Sequence, residues 1–478
     1  MMKKLIPFFL LIGLLFAGYD RVKGQVALPA IFSDGMVLQQ QSEVAIWGKS
    51  DKKTIEITTS WNNKKCSVSV VANGTWRTKV KTGKAGGPFT ITISDGDHEK
   101  IIEDILLGEV WLASGQSNMD MALKGRDKRQ PVNNSEEEIK NSLNPNIRFF
   151  DVKNNSWAKP LDDVTGRWVS ASPRTSRNFS AVAYFFAKDL HHRLKVPVAI
   201  VQSAYGGTHI AGWMSGEVLS KFSEFEVKPE ADSAYTNRNT PAGLFNAMIH
   251  PILGYGIKGA LWYQGEHNRA EPELYSRLFP EMVSQWRKDW GIGDFPFYYV
   301  QLAPYLRAGK KTLDIQDIIP VFREMQAHAT NHIKNSGIAI LTDIGSESTV
   351  HPPEKEAVGD RLSYIALNKT YGFMKIPYSG PVYKSMKSEG NTLILSFNHA
   401  EGLYLKNKSS VNFEVAGSDR VFHPAVAVIK GRTVRVSNPQ VEKPIAARYA
   451  FKAWVVGDLF NKHHLPASSF RTDDWPVK

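Results

Sequence analysis

Four short blocks in this 478-residue sequence carry side chains suited to chemistry. The first is Gly115-Gln116-Ser117-Asn118-Met119, directly after the apolar run Val110-Trp111-Leu112-Ala113. A serine on a tight turn between a strand and a helix presents its hydroxyl, and its backbone N–H stands free to bind an oxyanion. An ordinary helix N-cap serine has the same spacing. Met119 stands where the Gly-x-Ser-x-Gly nucleophile elbow has its second glycine, so this block is not that elbow. The second block is Gly206-Gly207-Thr208, where two glycines let a backbone N–H approach a ligand closely or simply form a turn. The third, Trp262-Tyr263-Gln264-Gly265-Glu266-His267-Asn268, crowds polar side chains behind an apolar run. The fourth is His351-Pro352, where a general base for an upstream serine would sit.

The elements that must position these blocks follow from periodicity. Ile105-Leu106-Leu107 and Val110 to Ala113 read as a strand feeding the serine block. A helix is expected over Ala181 to Lys195, with Val182, Phe186, Leu190 and Leu194 at i+4 spacing, leading into a strand at Val198 to Val201. Further apolar runs lie at Ile257 to Tyr263, Phe297 to Leu302 and Ile338 to Leu341, and a helix is expected around Ala357 to Ala366. Strands alternating with helices imply an α/β domain with a mostly parallel sheet covered on both faces. In such sheets the chemistry gathers beyond the carboxyl ends of the strands. On either side the pattern is different. Short alternating runs at 44–47, 54–57, 66–70 and 89–93, and again at 393–397, 411–415, 425–429 and 433–436, predict N- and C-terminal β-sandwiches. The expected organisation is 25–104, 105–376 and 377–478, after a leader over 1–24.

That leader reads as a secretory signal: Lys3 and Lys4, then the apolar run Leu5 to Ala17, then small residues at Ala17 and Gly18. An uncleaved N-terminal anchor is the other reading. No later run is long enough for a membrane span, so no membrane contact is expected after cleavage, and the expected location is periplasmic or secreted. The formal charge of +12 falls by three, to +9, without the leader's Lys3, Lys4, Arg21, Lys23 and Asp20. At 42% hydrophobic and 22% charged residues the chain suits a folded protein, not a disordered or polytopic one. The single cysteine, Cys66, excludes an intramolecular disulfide and any cysteine-based zinc site. The basic residues are spread along the chain, which argues against nucleic acid as a partner.

Taken in order, the four blocks resemble the SGNH, or GDSL-like, hydrolase superfamily, and specifically the sialate O-acetylesterase family of carbohydrate esterases. The resemblance spans nearly the whole mature chain. It includes Leu28 to Gln40, Gly108 to Met119, Phe179 to Leu194, Phe245 to Pro251, Trp262 to Asn268, Phe322 to Gln326, His351 to Leu362, and Leu465 to Asp473. It implies an SGNH-type three-layer α/β/α domain flanked by the two β-sandwiches, with no cofactor and no metal. It implies Ser117 as nucleophile, His351 as general base, and the N–H groups of Ser117 and Gly207 in an oxyanion hole, with Gln264 or Asn268 as a side-chain donor. Gln116, Trp213, Glu266, His267 and Arg323 would contact substrate. Arg323, in Arg323-Glu324-Met325-Gln326, would either hold a sugar carboxylate bidentately or pair with Glu324.

The sequence departs from the family pattern before His351. Ser348 and Thr349 occupy the positions where an aspartate is usual, which leaves Glu347 and Asp343 as the nearest carboxylates to orient the imidazole, or else a Ser-His dyad braced by a backbone carbonyl. Tyr205, His209 and His267 also replace commoner residues. The function implied is removal of O-acetyl groups from sugars through an acyl-serine, with an O-acetylated glycan or sialoside as partner. Xylan or pectin deacetylation is the alternative within the family. A non-catalytic glycan-binding protein on a degenerate scaffold is the alternative outside it. Oligomeric state is not encoded in these motifs.

Overall fold

The computed structural model describes residues 26–478, apart from 128, 228–232, 234–236, 307–312, 408–409 and 478, and without the side chains of 313–317. The expected leader over 1–24 lies outside the described residues. The N-terminal strands are β1 (Val37–Gln39), β2 (Glu43–Lys49), β3 (Thr54–Thr59), β4 (Lys64–Ser69), β5 (Thr75–Lys81) and β6 (Gly86–Ser94). β2 pairs with β5, and β3 pairs with β4 and β6, all antiparallel.

The next strand, β7 (Glu99–Gly115), is 17 residues long and ties this region to the rest of the chain. Its first half pairs antiparallel with β6, while from Glu109 onward it lies at the centre of a parallel sheet. The boundary expected after residue 104 therefore falls inside a strand. Asp104, at φ 54, kinks the backbone there and breaks the alternation that would have marked a continuous strand.

The central sheet continues with β8 (Asn144–Asp151), β9 (Trp168–Ala171), β10 (Val198–Ala204), β11 (Gly259–Tyr263), β12 (Phe297–Val300) and β13 (Ser336–Ala339). The order is β13-β12-β11-β7-β10-β8-β9, parallel throughout except for β9 at one edge. β7, β10 and β11 are buried on both faces where they pair, which is why they read as unbroken apolar runs. Helices cover both faces. Val110 and Leu112 point into one core with α3 (Pro272–Trp290), which buries Tyr275, Leu278, Phe279, Met282, Val283, Trp286 and Trp290. Trp111 and Ala113 point into the other with α2 (Ala181–Leu194) and α5 (Lys355–Lys369). Two more helices matter to the site, α1 (Ser117–Asp120) and α4 (Leu313–His328).

Beyond residue 377 the chain forms two further antiparallel sheets. One runs Val382–Glu389, Thr392–Asn398, Thr433–Ser437, Val426–Lys430, and the other Phe422–Pro424, Phe413–Ala416, Ala446–Tyr449, Phe470–Arg471. They share a core that includes Leu393, Leu395, Phe413, Val415, Val434, Val436 and Tyr449. This region docks on the loop after β13: Thr342 donates to the Ala467 carbonyl at 2.6 Å and accepts from Gly457 N at 2.8 Å. The molecule is thus a mixed α/β sheet protein with additional β-sheet regions. Among the described residues no helix is long and apolar enough to cross a membrane.

Candidate active site

Three adjacent strands end level with one another. Gly115 of β7 stands opposite Ala204 of β10 and Tyr263 of β11. The chain then turns three times in the same small volume, and these turns carry the first three sequence blocks. Gln116 N donates to the Tyr263 carbonyl at 2.9 Å, and Tyr205 N to the Gly115 carbonyl at 3.0 Å, which fixes the turns to one another. Gly115 sits at φ +135, and a Cβ there would overlap the Tyr263 carbonyl, so only glycine fits.

Ser117 opens the one-turn helix α1, and the loop before α5 lays His351 against it. The Ser117 hydroxyl meets His351 Nε2 at 2.8 Å. Burial, with the positive charges of Arg126 and Lys355, pulls the His351 pKa down to about 4, so the ring is neutral at neutral pH and free to take the serine proton. Its Nδ1 is buried and has no partner among the described residues. Neither carboxylate expected to orient it does so. Asp343 is held by Arg361, at 2.8 and 2.6 Å, because that guanidinium is the nearest cation to a largely buried carboxyl. Glu347 is exposed, and among the described residues only its main-chain carbonyl is engaged, by Leu306 N.

What braces the pair instead runs through their chain neighbours. Asn118 Nδ2 donates to the carbonyl of Val350 at 2.8 Å and also to Glu266 Oε1. Its Oδ1 accepts from Lys355 Nζ. One amide therefore joins the residue after Ser117 to the residue before His351, and it is held at both ends by buried charges. Burial pulls the Lys355 pKa down to about 7 and pushes that of Glu266 up.

Hydrogen-bond saturation separates the two amides of the third block. Both N–H groups of Gln264 are taken, by the Thr208 carbonyl at 2.9 Å and by Asn268 Oδ1 at 2.7 Å. Asn268 Oδ1 also accepts from Ile210 N at 2.9 Å, and its Nδ2 lies 3.3 Å from His209 Nδ1, which leaves one N–H unassigned. Among the described residues no acceptor takes the Ser117 or Gly207 backbone N–H. Gly207 is at φ +74, in the left-handed region that favours glycine.

A family model for "carbohydrate esterase, sialic acid-specific acetylesterase" matches residues 107–357, which is more than half of the chain. The chain belongs to this family. It is accordingly a carbohydrate esterase, a hydrolase of carboxylic esters. The sialate O-acetylesterase of Mus musculus is 28% identical and aligns over 94% of each protein. The sialate O-acetylesterase of Homo sapiens is 28% identical over 80% of this chain and 78% of its own. Among solved structures, a carbohydrate acetylesterase from Xanthomonas citri superposes with a TM-score of 0.85 at 32% identity, covering 94% of this chain and all of the other.

For this esterase, several residues expected to touch substrate are buried in structural roles. Trp213 is fully buried, edge-on to Trp262, with its indole N–H given to Thr208 Oγ1 at 3.0 Å; the apolar packing beneath the second block claims it. Arg323, on α4, is also fully buried and donates to the Lys452 carbonyl, while Glu324 pairs with Arg471 at 3.0 Å rather than with Arg323. Desolvation lowers the Arg323 pKa to about 9. Gln116 is buried and accepts from Gly265 N and His267 N, pinning the third block over the serine turn. Glu266 faces Asn118, not the opening.

His267 alone of that group is exposed, its ring edge-on to His209 with centroids 4.8 Å apart. Burial keeps both rings below the usual histidine pKa. Among the described residues no group of three or more His, Cys, Asp or Glu is arranged to hold a metal. Sequence reading missed the two cations at the opening, Arg126 and Arg238. They come from loops outside all four blocks, and the only signal for them was the overall positive charge.

Proposed function

We propose that this esterase removes O-acetyl groups from sugars by an acyl-serine mechanism, with an O-acetylated sialoside as its first-choice substrate. The carrying observation is the 2.8 Å hydrogen bond from Ser117 Oγ to His351 Nε2 at the junction of three strand ends. His351, neutral at working pH, takes the proton as Ser117 Oγ attacks the acetyl carbonyl. Negative charge then develops on the carbonyl oxygen. Backbone N–H groups of Ser117 and Gly207 and the unassigned N–H of Asn268 stabilise it, each donor lowering the barrier by roughly 3–4 kcal/mol. His351 returns its proton to the departing sugar oxygen, and water attacks the acetyl-enzyme by the reverse route. Gln264 positions Asn268 and does not itself reach the oxyanion. Family membership and the relatives named sialate O-acetylesterase support the sialoside. Acetylated xylan and pectin are the other substrates to compare.

The test is acetate release from O-acetylated sialosides, xylan and pectin, together with labelling by a fluorophosphonate probe and peptide mapping. The reading expects release from at least one glycan and a label on Ser117. Sugar binding without turnover, and no label, would replace it with a glycan-binding role.

Two further parts of the reading concern the whole chain. The α/β unit is a three-layer SGNH-type domain, with flanking β-sandwiches covering roughly 25–104 and 377–478. Residues 1–24 are a cleaved export signal, so the protein recovered from the periplasm or medium should begin near Gln25. An N-terminal sequence starting at Met1 in a membrane fraction would instead mean an uncleaved anchor.

A further inference from the structure

We propose that Arg126 and Arg238 form a carboxylate-binding pair at the lip of the site and make the esterase favour acetyl esters of acidic sugars. This deepens the acyl-serine reading and rests on it. The two arginines are separated in sequence by more than a hundred residues, yet they meet at the same turn. A methyl group placed on Gly206 would lie 3.4 Å from Ser117 Cβ and 3.2 Å from Arg126 Nη2. One placed on Gly207 would lie 3.4 Å from Arg238 Nη2. The guanidiniums therefore flank the glycine pair whose second member supplies an oxyanion donor. The bare glycines leave open the space between these forks and the nucleophile.

Both side chains are exposed. Arg238 lies over the Tyr205 ring, 5.5 Å from its centroid, and among the described residues it forms no ion pair. Arg126 has one acidic neighbour, Asp120, at 3.9 Å, beyond hydrogen-bonding distance. Burial holds that carboxyl's pKa up at about 6, so it is largely ionised at neutrality and offsets part of the Arg126 charge from beyond hydrogen-bonding distance. The other acids nearby do not cancel the charge. Glu266 is buried against Asn118 and Lys355, and Glu271 acts on His209. Arg269 adds a third cation behind the rim, where it donates to the Glu266 carbonyl.

An arginine fork matches a carboxylate in geometry as well as charge, and two forks at one turn favour an anion over a neutral ring. The chemistry recognised is a carboxylate on a pyranose, and two sources offer it: a sialic acid and a uronic acid. Arg323, the arginine that the sequence pattern suggests for this task, is sealed in the interior.

The experiment measures kcat/KM for three esters: an O-acetylated sialoside, an O-acetylated glucuronide and a neutral O-acetylated xyloside. It compares the wild type with Arg126→Gln, Arg238→Gln and the double variant. The double variant should lose about tenfold to a hundredfold in the ratio of acidic to neutral kcat/KM, mostly through KM. Added salt should erode the wild-type preference, because both arginines are exposed. A fall on the sialoside alone or on the glucuronide alone identifies the source of the carboxylate. An unchanged ratio on both overturns the proposal.

Should the wild type hydrolyse no ester, the acyl-serine reading fails, and the pair is then judged by binding. Calorimetry with free N-acetylneuraminic acid, glucuronic acid and glucose on the wild type and the double variant reads it directly. Binding of an acid, weakened at least tenfold in the double variant, upholds the pair. Equal binding of acid and glucose, or no change on substitution, rejects it.

Discussion

Ser117→Ala is expected to lower kcat for acetyl-ester hydrolysis by about 10⁴- to 10⁶-fold while leaving the fold in place. The size follows from what is removed. Without Oγ there is no acyl-enzyme, and His351 has nothing to deprotonate but water, so only the oxyanion donors and substrate binding remain to accelerate the reaction. The fold should tolerate the change because the Ser117 hydroxyl makes a single hydrogen bond, to His351. A neutral bond of this kind contributes about 1 kcal/mol. The turn itself is held by main-chain bonds that alanine keeps: Met119 N and Asp120 N to the Gln116 carbonyl, both at 2.9 Å. Acetate release, read beside a thermal melt, checks both halves. A variant that melts with the wild type yet retains more than about 1% of its kcat would show that another group is the nucleophile.

Much of this site is legible in the sequence because its parts sit where strands end. An apolar run followed by Gly-Gln-Ser, Gly-Gly-Thr or Gln-Gly-Glu marks the carboxyl edge of a parallel sheet. The register that sets Gly115 opposite both Ala204 and Tyr263 brings those edges together. Side-chain direction and hydrogen-bond occupancy are not legible in this way. Gln264 and Asn268 are equivalent as amides in a line of text, and they differ only because Thr208 and Asn268 use up both Gln264 donors. Asp343 is close to His351 in sequence, yet Arg361, one turn and a half along α5, reaches it first.

Trp213 and Arg323 lie in the interior, because pattern alone does not fix which way a polar or aromatic residue beside a motif is turned. The same blindness hid Arg126 and Arg238, whose loops converge only in three dimensions. In the fold, α3 was missed although Tyr275, Leu278, Phe279, Met282, Val283 and Trp286 follow the helical period. β7 was cut in two because its charged first half, ending at the kinked Asp104, looks like a linker.

Lys355→Met carries the second large effect, and it falls first on stability. Lys355 opens α5 four residues after His351, completely buried, with its ammonium on Asn118 Oδ1. Removing it takes away a positive charge that acts on buried Glu266 and leaves the Asn118 carbonyl unpaired. Stranding a buried acceptor costs about 1–3 kcal/mol, and more where a charged group also loses its compensation. Glu266→Gln added to Lys355→Met should recover much of that, because it removes the stranded charge. The strap from Asn118 to Val350 would still be loosened, so kcat should remain depressed in the double variant even where stability returns.

The pH dependence separates this account from simple loss of packing. The Lys355 pKa lies near 7 in the folded protein and at 10.5 when unperturbed. Between those values the unfolded chain binds the extra proton, so stability contributed by this residue rises with pH from about 7 to 10.5 and is lost as pH falls through 7. Urea unfolding at pH 7 and pH 9.5 should show the wild type gaining stability at the higher pH relative to Lys355→Met. Parallel behaviour of the two proteins across that interval would mean that the Lys355 ammonium is not buried as described. In that case the brace between nucleophile and base would have to be sought elsewhere than in Asn118 and its two charged neighbours.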